Sequence, residues 1–168
     1  MTLAFVGLGS NLAHPRRRLA GALRGLAALP RTRLAAVSPN YVSAPVGTSI
    51  PQPDYVNAVA MLDTRLRARD LLARLFAIER AQRRRRVAGV RNAPRTLDCD
   101  LLLFGRLRKA TRELTLPHPR MHERAFVLRP LADIAPAARV PGRGVAAALA
   151  RQVAGQRIAR TRSHPRYR

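Results

Sequence analysis

The stretch Pro94-Arg95-Thr96-Leu97-Asp98-Cys99-Asp100-Leu101-Leu102-Leu103-Phe104 is an apolar run with two acids set two residues apart. Side chains alternate along a strand, so a strand over 96–104 turns Asp98 and Asp100 to one face and Leu97, Cys99, Leu101 and Leu103 to the other. Two carboxylates side by side within an apolar strand are costly unless a cation neutralises them. Only nine Asp and Glu stand against 32 Lys and Arg, a formal net charge of +23, so pairing two of the acids here is a distinctive use of them. A solvated sheet face with arginine partners would accommodate the pair. So would magnesium, a hard ion that takes one or two carboxylates and completes its shell with water and phosphates. The surroundings favour the ion. Arg95 lies three residues before Asp98, and Arg83–Arg86 and Arg91 lie upstream, so guanidinium groups and a metal-binding pair would surround one polyphosphate.

Working outward, residues 2–9 form a short apolar strand ended by Gly9-Ser10-Asn11, and the Gly7-x-Gly9 pair reads as part of a turn. Pro15 suits a first helical turn, and Leu19, Leu23, Leu26 and Ala27 share one face of a helix that ends before Pro30. Residues 33–43 read as a second strand broken by Pro39. Ala44–Pro53, with three prolines and a glycine, is a loop, and Tyr55–Thr64 is a strand. Asp70 opens a helix carrying Leu71, Leu72, Leu75 and Ile78 at helical spacing. The arginine-rich segment 83–91 reads as an exposed, mobile connection. Beyond the central strand come short extended pieces around Thr111 and Leu114–Leu116, a helix over Met121–Asp133 that Pro130 must kink or end, and a short helix over Val145–Val153. This order of strand, helix, strand, strand, helix, strand predicts an α+β fold with a ferredoxin-like antiparallel sheet and helices packed on its faces. The expected organisation is one catalytic domain over 1–155 and a solvated, dispensable basic tail over 156–168.

Composition excludes several classes. With 47% apolar residues at regular spacing the chain is not intrinsically disordered. Apolar runs such as Leu101–Phe104 fall far short of the roughly 20 residues that span a bilayer. Met1–Gly9 lacks a signal-peptide pattern, so the expected location is the cytoplasm. Cys99 is the single cysteine, which excludes an intrachain disulfide. Lys109 is the only lysine, and this usage of arginine points to a GC-rich genome. The positive charge calls for a polyanionic partner, nucleic acid or a small phosphorylated substrate. A basic nucleic-acid-binding module would account for the charge, but acids beside the arginines would repel a phosphate backbone unless metal intervenes. A scaffold docking an acidic partner is a third reading, and it predicts no nucleotide binding.

Pro94-Arg95-Thr96-Leu97-Asp98-x-Asp100, followed by Leu116-Pro117-His118 and Arg124-Ala125-Phe126, resembles the 6-hydroxymethyl-7,8-dihydropterin pyrophosphokinase family of folate biosynthesis. Val6-Gly7-Leu8-Gly9-Ser10-Asn11-Leu12 is similar to the family's first strand and turn, and Gln52-Pro53-Asp54-Tyr55-Val56-Asn57-Ala58 to its pterin-side motif. The resemblance covers about residues 2–140 in the family's order. It implies transfer of the β,γ-pyrophosphoryl group of ATP to the pterin hydroxymethyl, with AMP leaving. It further implies two magnesium ions on Asp98 and Asp100, and phosphate contacts from Arg95, His118 and Arg124. Arg84 and Arg86 would close over the phosphates, and Leu101 and Thr115 match positions on the nucleotide side. Ser43, Ala44, Val46, Tyr55, Asn57 and Phe126 match the pterin side. The implied protein is a monomer acting on ATP and the dihydropterin, with no specific nucleic acid and no membrane as partner. There are departures: Asn92 stands where the family commonly has tryptophan, Ala93 where it has glycine, Glu113 where it often has arginine and Phe76 where it often has glutamine.

Overall fold

The computed structural model describes residues 1–12, 14–47, 51–82 and 96–161. In chain order it contains β1 (Thr2–Ser10), α1 (Pro15–Ala27), β2 (Thr32–Val37), β3 (Tyr41–Ser43), β4 (Tyr55–Thr64), α2 (Ala68–Ala81) and β5 (Asp98–Phe104). There follow β6 (Lys109–Ala110), β7 (Thr115–Leu116), a 3₁₀ turn over Met121–Glu123, α3 (Ala125–Ile134), β8 (Arg139–Val140), β9 (Gly144–Val145), α4 (Ala146–Gln152) and β10 (Ile158–Arg160). The main sheet runs β10-β3-β4-β1-β5, with β2 also paired to β4, and every pairing is antiparallel. This is the expected ferredoxin-like arrangement.

Alternation along the strands divides the core. Ala4, Val6 and Leu8 of β1 and Val56, Ala58, Ala60 and Leu62 of β4 face α1 and α2, together with Leu19, Leu23, Leu71 and Leu75. Phe5 and Val59 face the other way, where they pack with Val127, Leu128 and Leu131 of α3 and Leu149 of α4. Burying side chains of this size stabilises by about 1.5–3 kcal/mol each, which makes the two-sided core the main source of stability.

One alternation expected from the sequence breaks. Val6 pairs with Leu101 while Phe5 pairs with Leu103, so Leu102 is the extra residue of a bulge. Leu102 and Leu103 consequently both belong to the α3 side, and Leu103 shares the face of the two aspartates instead of opposing it. Pro130, expected to kink or end a helix, lies inside α3 and is buried there. It neither ends the helix nor prevents α3 from packing on β4 and α4.

The expected tail is part of the fold as far as Thr161. Ile158, Ala159 and Arg160 pair with Ser43, Val42 and Tyr41, and the Thr161 N–H donates to the Asn40 carbonyl at 2.8 Å. The segment has no apolar periodicity because it is a short edge strand whose ordering comes from main-chain pairing. The mobile connection expected over 83–91 lies outside the described residues.

Candidate active site

On the α3 side, a cavity of about 290 Å³ opens where β1 ends and β5 begins. Its floor follows from strand register. Gly9 lies between Asp98 of β5 and Asn57 of β4, and Gly7 lies between Asp100 and Val59. Adjacent strands are about 4.8 Å apart, so the acid wall and the amide wall stand about 10 Å apart across a strand bare of side chains. Gly7 and Gly9 are thus strand residues rather than the turn read from the sequence. Their absent side chains make the cleft: a Cβ on Gly9 would come within 3.3 Å of Asn57 Oδ1, and one on Gly7 would touch Leu102.

The acid wall faces two basic side chains. The main-chain N–H of His118 donates to the Leu102 carbonyl at 2.9 Å, which ties the loop after β7 to β5. His118 Nε2 lies 4.0 Å from Asp100 Oδ2, and His118 Nδ1 accepts from the Arg120 N–H at 3.4 Å. A ring that accepts at Nδ1 carries its proton on Nε2, aimed at the carboxylate. Burial, then the nearby Arg124, lower the His118 pKa to about 4 against the pull of Asp98, with Arg120 lowering it further, so the imidazole is a neutral donor at pH 7. Arg124, at the N-cap of α3, lies with its guanidinium 5.5 Å from the centroid of the Phe126 ring. Burial and the neighbouring Arg120 hold its pKa below the usual arginine value, with Asp100 and Asp98 opposing. It remains a cation all the same.

The amide wall is organised by hydrogen bonds. Asn57 Nδ2 donates to Ser43 Oγ at 2.9 Å, which orients the carboxamide. Tyr55 Oη donates to Gln52 Oε1 at 3.1 Å, and Asn11 Nδ2 donates to the same oxygen at 2.8 Å.

Of the residues singled out from the sequence, Ser43, Ala44, Val46, Tyr55, Asn57, Asp98, Asp100, His118, Arg124 and Phe126 all line this one cleft. Thr115 lines a neighbouring groove of about 530 Å³, which shares His118 with the cleft and carries Arg108, Lys109 and Arg143. The Leu101 side chain is buried in the α1/α2 core, so what Leu101 can offer a ligand is its main chain. Arg84, Arg86 and Arg95 lie outside the described residues, as do Asn92 and Ala93. Glu113 pairs with Arg69 at 3.3 Å on the surface, and Phe76 is exposed. Sequence reasoning missed Arg120 as a lining residue and gave Gln52 only as part of the pterin-side motif, without a role in the site. It also missed Glu79, a buried α2 acid whose Oε1 accepts from the Cys99 N–H at 2.8 Å, between the two aspartates. An acid on the Leu71–Leu75 stripe was the available signal.

A carboxylate pair and cations gathered over a bare strand, on a ferredoxin-like sheet, belong to an enzyme of phosphoryl-group transfer. Residues 5–136 match the family model described as 7,8-dihydro-6-hydroxymethylpterin-pyrophosphokinase (HPPK), and the chain belongs to that family. It is similar to the 2-amino-4-hydroxy-6-hydroxymethyldihydropteridine pyrophosphokinase of Pseudomonas aeruginosa, 53% identical over 137 residues, covering 82% of this chain and 83% of the relative. The enzyme of the same name from Haemophilus influenzae is 40% identical over 158 residues, covering 94% of this chain and 97% of the relative. The fold matches a crystal structure of an HPPK-DHPS in complex with substrates, at a TM-score of 0.66 and 12% identity over 90% of this chain. The Plasmodium falciparum HPPK-DHPS wild type with SDX-DHP gives the same TM-score and identity. This chain spans 43% of each of those longer chains.

Proposed function

We propose that the chain transfers the β,γ-pyrophosphoryl group of ATP to the hydroxymethyl oxygen of 6-hydroxymethyl-7,8-dihydropterin, in a magnesium-dependent reaction carried out in this cleft. The observation that carries the reading is the cross-strand row Asp98–Gly9–Asn57, which sets a wall for charged phosphates opposite a wall for a heterocycle. The donor set suits magnesium. Asp98 and Asp100 offer hard carboxylate oxygens at the lining of the cleft, and magnesium takes one or two carboxylates and completes its shell with phosphate oxygens and water. Asp98 and Asp100 would hold two such ions, which when bound neutralise phosphate charge and polarise the phosphoryl oxygens.

The other residues bind and orient. The Asn57 carboxamide, oriented by Ser43, presents hydrogen-bonding groups to the edge of the pterin, and Tyr55 and Phe126 supply aromatic surface. Arg124 meets the phosphates as a cation and His118 meets them as a neutral Nε2–H donor. Arg84, Arg86 and Arg95 add guanidinium groups on the strength of the sequence resemblance. The hydroxymethyl oxygen forms a bond to the β-phosphorus, the bond from that phosphorus to the bridging oxygen breaks, AMP departs with that oxygen, and the hydroxyl proton passes to water. Such transfer depends on alignment and charge stabilisation more than on covalent chemistry by the protein. The location expected for this reaction is the cytoplasm, and the expected state of the chain is a monomer.

The test is AMP formation from ATP with and without the dihydropterin, each with magnesium or with excess chelator. AMP is expected only when pterin and magnesium are both present. Equal rates without pterin, or indifference to chelation, would overturn the reading. Salt-sensitive RNA binding without AMP formation would instead favour a nucleic-acid module.

A further inference from the structure

The first turn of a helix leaves N–H groups without internal partners, and a Ser, Thr, Asp or Asn at the N-cap ordinarily accepts from one of them. In α3 the N-cap is Arg124, whose side chain makes no capping hydrogen bond and has no acceptor to offer. The partner comes from far along the chain. Gln156 Oε1 accepts from the Ala125 N–H at 2.9 Å, and Gln156 Nε2 donates to the Glu123 carbonyl at 2.7 Å. A single carboxamide thereby holds the residues on both sides of Arg124.

Gln156 is itself anchored. Its N–H donates to the Val153 carbonyl at 3.1 Å, at the end of α4, which packs on α3. Two residues further on, β10 pairs with β3, and Arg160 Nε lies 3.9 Å from Asp133 Oδ2 of α3. Asp133 Oδ2 also accepts from Tyr41 Oη at 2.8 Å, which ties α3 to β3. The carboxamide is therefore presented from fixed backbone on both sides.

We propose that Gln156 is a positioning residue for Arg124. It accepts from the first amide of α3 and donates to the carbonyl before the N-cap, and so holds the backbone on both sides of an arginine that cannot cap for itself and directs its guanidinium into the cleft. Gln156 lies outside the residues 5–136 matched by the family model, so this support comes from the chain's own C-terminal segment. The inference rests on the reading of Arg124 as a phosphate ligand. Without the clamp, the peptide groups around Arg124 have to be ordered when ATP binds, and that ordering weakens affinity.

Gln156→Met keeps the length of the side chain and removes its amide. The Ala125 amide should lose protection from hydrogen exchange, the KM for ATP should rise about tenfold, as loss of two hydrogen bonds implies, and the KM for the pterin should stay within about twofold. In an Arg124→Ala background the same substitution should change the KM for ATP by less than about twofold. An unchanged KM for ATP in Gln156→Met, or an equal rise in both backgrounds, would overturn the proposal. Should Gln156→Met fail to fold, Gln156→Glu keeps the acceptor for Ala125 and loses the donor to Glu123; it should raise the KM for ATP severalfold, and no change would overturn the proposal equally. Arg124→Ala alone separates the two readings. If it leaves the KM for ATP unaltered, the phosphate role of Arg124 fails and this inference fails with it; a loss there with none in Gln156→Met sinks only the clamp.

Discussion

Asp98 and Asp100 share a face with two glycines as their cross-strand neighbours on β1, so each lines the cleft beside a strand bare of side chains. Asp98→Asn keeps the shape and removes the charge. Magnesium-supported turnover should fall at least about a hundredfold, the scale of losing one electrostatic contact in a transition state. The melting temperature of the metal-free protein should change little, since relief of repulsion within the pair offsets the weaker attraction to Arg124. A lower melting temperature with turnover retained would make the pair structural. His118 gives a second test, through pH. Its pKa is lowered to about 4 in the fold against 6.5 when unperturbed, so between those values the unfolded chain binds a proton that the folded one refuses. Stability therefore rises with pH across that window and is lost as pH falls from 6.5 toward 4, by on the order of 3 kcal/mol. Urea unfolding at several pH values should show this slope for the metal-free protein and a flatter one for His118→Gln. The acid pair was legible in the sequence because strand alternation is local. The histidine's neutral state was not, because its main cause is burial, which exists only once the loop after β7 packs on β5.

At the scale of elements, β5 depends on contacts that its own sequence does not disclose. One side of the strand pairs with β1, and on the other the Cys99 N–H is taken by the buried Glu79 of α2. Glu79→Ala leaves that buried donor without its acceptor and should cost about 1–3 kcal/mol in urea unfolding. Glu79→Gln retains an acceptor and should cost less; equal losses would show that the charge matters more than the hydrogen bond. The start of α2 also differs slightly from its reading. The helix begins at Ala68, and Asp70 lies in its first turn, where Arg67 Nε pairs with it at 2.9 Å and its charge complements the helix dipole. The bulge at Leu102 was not legible, since alternation is the default that pattern reading assumes and bulges arise from how two strands fit together.

For the whole molecule, the C-terminal segment is the clearest test of what the sequence conceals. Ending the chain at residue 155 removes β10 and Gln156, exposes the edge of β3 and uncaps α3. Calorimetry should show a melting temperature lower by about 5–10 °C, as expected for a loss of a few hydrogen bonds in a domain of this size. An unchanged melting temperature would mean that the segment is only appended to the fold. The sequence by itself determined the order of strands and helices, the acid pair and most residues of the cleft, because these follow from local periodicity and from motifs carried in short runs. Tertiary structure alone decided that Gly7 and Gly9 form a floor, that Leu103 faces the side of the aspartates, that Glu79 supports β5 and that residues 156–161 brace the cleft. Each of those depends on the register between distant strands or on a hydrogen bond between remote segments, and the energy of such contacts exists only once the chain has brought them together.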